Sequence, residues 1–368
     1  MGTGVGWVVC ELGYGRMTDP TNISNPPLIS VIMAVYNGER FVADAIRSIL
    51  SQSEGNFEFI IIDDGSTDGT SVILGEWAGR DDRIRLLHGV HGGSYHARNL
   101  GLSASRGIYI AHMDADDIAL PGRFRAQLEM MNNTGVDVCG CCARSFNGRD
   151  NLWWFPEHHA AICNELVFSN ALLHATLMLR GDLARAYPYD DTLLTMGDYE
   201  LCTRLALSVR LGNLQQVLHL WRSHPEQTHS VLNDAAVKNM RLFRRVYVQA
   251  RYPQVDGHES LLHLADRVAF VRLEDLEQAG EWLLRMADDS NAFLKDKMAN
   301  RWFKACRQSA SLGLGVYSLY RRILPGFGVA GKTGDVGLWL ATLLKLPPGS
   351  SLARAYQDLK RLVHWRIK

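Results

Sequence analysis

No run of roughly eighteen apolar residues occurs anywhere in this 368-residue sequence, so no transmembrane helix is predicted. Charge of one sign is also missing in bulk. The 39 Lys and Arg balance 39 Asp and Glu, and nothing global points to nucleic acid as a partner. The 7 cysteines are odd in number and lack framework spacing, which excludes a disulfide-stapled scaffold and points to a reducing compartment. Cys139, Cys141 and Cys142 lack the second pair of ligands that tetrahedral zinc takes. Flanked by Val136, Val138 and Ala143, they read as core cysteines of a buried strand. The mildly apolar start, Gly4 to Cys10, has no charged n-region and runs straight into Glu11, so no signal peptide is expected. Residues 1–27 read as a poorly ordered leader ending at Pro26 and Pro27. A cytoplasmic location follows as the expectation.

What is present is ordinary for a folded chain: 47% hydrophobic, 21% charged and 9% aromatic residues suffice to bury a core. The length exceeds one compact domain, so a catalytic domain with an extension is expected. Charge is unevenly placed along the chain. From Arg301 onward 12 Lys and Arg face only Asp335 and Asp358, which suggests a basic surface-binding end.

Leu28 to Tyr36 is a continuous apolar, β-branched run typical of a strand covered on both faces, and Asn37-Gly38 breaks it. Phe41, Ala45, Ile46, Ile49 and Leu50 then recur at helical spacing. Phe57 to Ile62 is a second buried strand, closed by Asp63-Asp64-Gly65-Ser66. A helix over Thr70 to Trp77, a strand over Ile84 to His88, a helix over Ser94 to Ala104 and a strand over Gly107 to Met113 follow. This alternation predicts an α/β domain with a mainly parallel, Rossmann-like sheet. Strands and loops are expected from the helix ending near Asn132 up to Leu179, then a helix from Asp198 and a strand near Leu214 to Leu220. After about Val231 the pattern turns helical. The expected division is a catalytic domain over 28–231 and an α-helical extension over 232–368.

In open α/β sheets ligands sit at the carboxyl ends of strands. Here those ends carry Tyr36-Asn37, Asp63-Asp64 and Asp114-Ala115-Asp116-Asp117. Alternate acids on an extended segment face one site. One or two carboxylates suffice to hold a Mg²⁺ or Mn²⁺ that bridges diphosphate oxygens. A carboxylate after the second strand is placed to accept hydrogen bonds from a base or a ribose.

Taken together and in order, Leu28 to Gln52, Phe57 to Thr70, Ala97 to Gly101 (ARNLG), Gly107 to Arg123, Gly197 to Leu205 and Trp221 to Ser230 closely resemble the family 2 glycosyltransferases. These are inverting enzymes of the GT-A fold, and the resemblance covers about residues 28 to 230. It implies that Ala34, Tyr36 and Glu39 line a nucleotide pocket. Asp64 would bind the base, typically uracil, with Asp63 supporting the turn, and Arg98 would lie near the nucleotide or diphosphate. Asp114 and Asp116 would be the two acids of a D-x-D, with Asp116 the principal metal ligand, Asp114 the second, and Asp117 a bystander capping the next turn. Asp198 would be the general base that takes the acceptor proton. The family opens that helix with a Glu-Asp pair, whereas here the pair reads Gly197-Asp198. Arg222 and His224, of the segment Arg222-x-His224-x-x-Gln227, would neutralise diphosphate charge or help hold the metal. His174 matches a position that lines the pocket or packs beside it.

The implied partners are a nucleotide-sugar donor, UDP-linked by resemblance, and a glycan or lipid-linked acceptor of a bacterial-type surface polysaccharide or glycoconjugate. Val336 to Leu346 and Leu352 to Ile367 set apolar residues among Lys and Arg. Such helices either lie on an anionic membrane surface, here the inner face of the cell membrane, or pack as a lid on the catalytic domain or a partner. Two other functions fit parts of the pattern. A sugar nucleotidyltransferase would carry a Gly-rich basic loop that Tyr36 to Glu39 lacks. A non-catalytic nucleotide-sugar-binding module has only Gly197 in its favour.

Overall fold

The computed structural model describes residues 26–148, 150–224, 234–253, 258–288, 292–328 and 336–346. Apart from Pro26 and Pro27, the predicted leader lies outside the described residues, as do Gln227 and the basic stretch Leu352 to Ile367.

β1 (Ile29–Val35), β2 (Phe57–Asp63), β3 (Ile84–His88) and β4 (Tyr109–Asp114) lie side by side in the order β3-β2-β1-β4, every pairing parallel. α1 (Val42–Leu50), α2 (Thr70–Ala78) and α3 (Ser94–Ala104) connect them. All seven residues of β2 are buried, as a strand covered on both faces requires. Successive side chains point to opposite faces, and this divides the core in two. Ile32, Ile60, Ile62 and Ile110 enter one cluster. Val31, Met33, Phe59, Ile61 and Ala111 enter the other, against Ala45, Ile46 and Ile49 of α1.

Beyond β4 come β5 (Ile118–Ala119), α4 (Arg123–Thr134), β6 (Val138–Phe146), β7 (Leu152–Trp153), α5 (His159–Leu166), β8 (Met178–Arg180), α6 (Gly181–Ala186), α7 (Gly197–Ala206) and β9 (Leu211–Arg222). Among the described residues they extend the sheet to nine strands, β3-β2-β1-β4-β8-β6-β9-β5, with β7 on β6. This half is mixed. β8 runs antiparallel to β4 and β6, β9 runs parallel to β6, and β5 runs antiparallel to β9. Cys139, Cys141 and Cys142 are fully buried in β6, as expected of core residues. The short helix α5 falls where strands and loops were expected, and α6 follows the last of that stretch. They are too short to show a helical period in sequence, and packing stabilises them instead.

The helices after the sheet are α8 (Asp234–Arg251), α9 (His258–Ala265), α10 (Leu273–Asp288), α11 (Ala292–Gln308), α12 (Leu314–Ile323) and α13 (Val336–Leu343). They do not form a separate core. Tyr247, Val248, Trp282, Trp302, Ile323 and Leu338 belong to the same cluster as Ile32 and Ile60. Polar ties reinforce the junction. The buried Glu165 of α5 accepts hydrogen bonds from Lys297 Nζ (2.7 Å) and Arg301 Nη2 (2.9 Å) of α11. Tyr247 Oη donates to the Cys163 carbonyl at 3.0 Å. The described part of the basic end, through Leu338, thus packs on the protein's own core. Among the described residues no helix is long and apolar enough to cross a membrane.

Candidate active site

The loops after β1 and β2 are laced together by hydrogen bonds. Asn37, at a left-handed φ of 51° that Asn tolerates, donates its N–H to Ser66 Oγ (3.0 Å) and accepts from Thr67 N (2.8 Å) through Oδ1. Gly38 N donates to Thr70 Oγ1 at 2.8 Å, and a Cβ at Gly38 would lie 2.6 Å from Val35 Cγ2, so the position admits no side chain. Glu39 Oε2 accepts Gly69 N at 2.7 Å. Gly69 is the N-cap residue of α2 and has no side chain to cap it, so Glu39 brings the negative charge that a helix start favours. Ala34 sits in β1 between Ile62 of β2 and Asp114 of β4.

Both acids after β2 hold turns. Asp63 accepts from Ser66 N at 2.9 Å and from Ser71 Oγ. Asp64 is buried, and its two oxygens accept the N–H groups of Gly92 and Gly93, each at 2.9 Å. That anchors the loop before α3 and sets the His91 ring 4.0 Å from the exposed ring of Tyr36. Tyr36 and His91 form an open aromatic step at the end of the sheet.

Arg98 and Asn99 project from α3 toward β4. Arg98 Nη2 donates to Asp114 Oδ1 at 2.9 Å. Asn99 clamps Tyr189 through both of its backbone polar groups, each at 2.9 Å. Gly101 must be glycine, since its Cβ would meet Ile32 and Ile62 at 2.7 and 2.8 Å. The clamped Tyr189 hydroxyl joins His174 Nε2 (2.5 Å) to His112 Nε2 (3.2 Å), while His174 Nδ1 lies 3.8 Å from Asp114 Oδ1. Burial alone would raise the Asp114 carboxyl, but His174 and the Arg98 guanidinium outweigh it and hold it far below the usual range. Burial, then Arg98, push His174 down, toward its neutral form.

Asp116 and Asp117 turn toward β9. Asp116 Oδ2 pairs with His224 Nε2 at 2.9 Å, with the carboxylate about one-third exposed at 31%. Asp117 is wholly buried. Its Oδ2 lies 2.7 Å from His219 Nε2 and its Oδ1 accepts Arg222 N at 2.8 Å. The bystander role expected for Asp117 is therefore wrong: this residue pins the end of β9 to the acidic loop. Burial and the charges of Asp116 and Asp114 push its carboxyl well up, while burial and Arg123 push His219 down to about 3. Arg222 turns inward. Its Nε donates to the Asp116 carbonyl at 2.7 Å, and its guanidinium lies 4.7 Å from the ring centroids of Phe41 and Phe146. It holds the loop that carries Asp116.

Asp198 stands in the first turn of α7. The N-cap residue there is Met196, at a left-handed φ of 67° and with no side-chain cap, so the Asp198 carboxylate is not consumed in capping. Its Oδ2 accepts from Asn170 Nδ2 at 3.2 Å. The Gly197 N–H donates to Tyr95 Oη at 2.9 Å, Tyr95 stacks on Tyr189, and Tyr189 meets His174 beside Asp114, so a chain of contacts joins the start of α7 to the end of β4.

Among the described residues no three His, Cys, Asp or Glu side chains gather as a complete metal cage. A cage is not needed for Mg²⁺ or Mn²⁺ at a diphosphate, where one or two protein ligands suffice and phosphate oxygens supply the rest. The partly exposed Asp116 carboxylate beside His224 fits that requirement, whereas Asp114 is already engaged by Arg98. Sequence inspection missed Tyr95, Asn170, Tyr189 and His219. All four act through contacts between distant segments.

Residues 30–190 match the family described as Glycosyl transferase family 2. A Haemophilus influenzae protein named an uncharacterized glycosyltransferase is 30% identical over 245 residues, 61% of this chain and 74% of its own length. The uncharacterized glycosyltransferase EpsJ of Bacillus subtilis is 38% identical over 115 residues, 31% of this chain and 33% of its own. Among solved structures, S. aureus TarS 1–349 in complex with UDP-GlcNAc is similar with a TM-score of 0.55 at 18% identity. That likeness covers 82% of this chain and 91% of the other, and it is a likeness of fold.

Proposed function

This chain belongs to glycosyl transferase family 2 and is a glycosyltransferase, and from that premise we propose an inverting transfer from a nucleoside diphosphate sugar, UDP-linked, to a hydroxyl of a glycan or lipid-linked acceptor. Residues 28–231 carry the chemistry, and the described helices α8 to α13 back it. Tyr36 and Asp64 border the base, and Arg98 and Asp114 border the diphosphate. Asp116, with His224 beside it, would hold a Mg²⁺ or Mn²⁺, which when bound neutralises charge on the departing diphosphate. Asp198 takes the proton of the acceptor hydroxyl as that oxygen attacks the anomeric carbon from the face opposite the leaving group. Asn170 holds one carboxylate oxygen of Asp198, which leaves the other for the proton. His174, hydrogen-bonded to Tyr189 at 2.5 Å and 3.8 Å from Asp114, stands beside the donor-side acids.

One observation carries this reading: an Asp in the first turn of α7, not used as a cap, follows a glycine whose N–H is tied through Tyr95, Tyr189 and His174 to Asp114 at the end of β4. It is tested by following diphosphate release from a panel of UDP-, GDP- and dTDP-sugars, with water as the acceptor. Release is expected to be slow, to stop with EDTA and to return with Mn²⁺. Asp116→Ala should abolish it, and Asp198→Asn should reduce it about 100-fold or more while leaving nucleotide binding intact. Wild-type rates in Asp198→Asn would overturn the base assignment, and pyrophosphate as the product would point to nucleotidyl transfer instead.

A further inference from the structure

The glycine before Asp198 has a steric cause. A Cβ on Gly197 would lie 2.8 Å from both Cε2 and Cζ of Tyr95 and 3.1 Å from Cε1. These are atoms of a rigid ring with little room to retreat. Tyr189 stacks on it at 5.6 Å with an interplanar angle of 16°, and the Arg98 guanidinium lies 5.8 Å from its centroid. Tyr95 itself is 9% exposed. At the ring's tip the hydroxyl oxygen accepts the Gly197 N–H at 2.9 Å.

That hydrogen bond falls where α7 most needs one. The first N–H groups of a helix have no partner within the helix. Here the N-cap residue, Met196, offers no side-chain acceptor and sits in a conformation that L-residues adopt at a cost. A side chain from α3 therefore caps α7, and an interior contact, not local sequence, sets the start of the helix that carries Asp198.

We infer that Tyr95 occupies the space of the side chain that residue 197 lacks and is the positioning residue for Asp198, its ring and hydroxyl together fixing the first turn of α7. The inference rests on the reading of Asp198 as the base. Burial, then the Asp198 charge, raise the Tyr95 phenol to about 12, so it remains a neutral hydroxyl throughout the working range. Tyr95 and Arg98 are one helical turn apart on α3, so the same helix holds Asp114 through Arg98 and α7 through Tyr95. Donor-side and acceptor-side acids are thereby set relative to each other by a single rigid element.

The test uses the full chain, Mn²⁺ and whichever nucleotide sugar in the panel releases its diphosphate fastest. Tyr95→Phe keeps the ring and removes the oxygen, leaving a buried N–H without its acceptor. The turnover rate should fall about tenfold, the effect of one net hydrogen bond, while the KM for the donor stays within about twofold. Gly197→Glu alone drives a side chain into the ring and should lower both turnover and melting temperature. Tyr95→Ala with Gly197→Glu vacates the ring's volume and supplies new oxygens, so the double variant should exceed each single one in both measures. An unchanged turnover rate in Tyr95→Phe would overturn the inference, and so would a donor KM rising in step with the loss, or a double variant no better than Gly197→Glu. Asp198→Asn in the same assay separates the two readings. If it keeps wild-type turnover, the base assignment falls. If it is inactive while Tyr95→Phe is unaffected, the positioning role alone falls.

Discussion

Asp117 and His219 form a wholly buried pair 2.7 Å apart, and burial pushes the carboxyl up and the imidazole down, each toward its neutral form. Keeping such a pair neutral avoids the desolvation of two charges. A consequence follows for substitution. Asn at 117 retains an oxygen for the Arg222 N–H and presents an N–H to His219, in the manner of the protonated acid. Asp117→Asn should therefore cost no more than about 1 kcal/mol in urea unfolding and leave diphosphate release near wild type. Asp117→Ala removes both hydrogen bonds and should cost about 3 kcal/mol, with release reduced because the end of β9 at Arg222 loses its tether to the acidic loop. Equal damage by Asn and Ala would mean that the carboxyl is ionised in the fold. Asp117 stands beside two acids in a loop-like tetrapeptide, and nothing in that spacing tells a buried hydrogen-bonding acid from a solvated one. Its partner lies 102 residues away.

At the scale of elements, the same difficulty separates helices from the contacts that hold them. α5 and α11 meet through Glu165, which is 1% exposed and faces Lys297 and Arg301. Burial acts to raise the Glu165 carboxyl, yet Arg301 and then Lys297 outweigh it and hold it below its ordinary 4.5. A folded-state value depressed in this way contributes stability that is present above the unfolded value and lost as pH falls through the folded one. The melting temperature of the wild type should thus exceed that of Glu165→Gln at pH 7, and the gap should shrink as pH falls below about 4.5 toward 3. A gap that stays constant over this range would show that the clamp does not act through charge. β1 to β4 were legible because a strand buried on both faces must be apolar throughout. β5 and β8 were not, because strands of two and three residues exist only through their pairings, β5 with β9 and β8 with β4 and β6.

For the whole molecule, the question is whether the helical extension is an appendage or part of one core. Trp302 and Phe327 are wholly buried and belong to the cluster that also holds Ile60 of β2 and Leu205 of α7. A chain ended at residue 233 would bare that face, and uncovered apolar surface of this kind drives aggregation. Such a truncation should bind the dye ANS, melt without a sharp transition and release no diphosphate. A truncated chain that melts cooperatively and turns over donor would establish residues 28–231 as an independent unit. By itself the sequence determined the parallel half of the sheet, the acids at its carboxyl edge, the likeness to a glycosyltransferase family and the helical character of the rest. Each is written in runs, periods or short motifs, and local order dictates those. The tertiary structure alone decided that Asp117 is interior, that the helices share the sheet's core and that Tyr95 fills the space beside residue 197. Those are meetings of segments about 100 residues apart or more, and a contact across such a separation leaves no period in the chain to read.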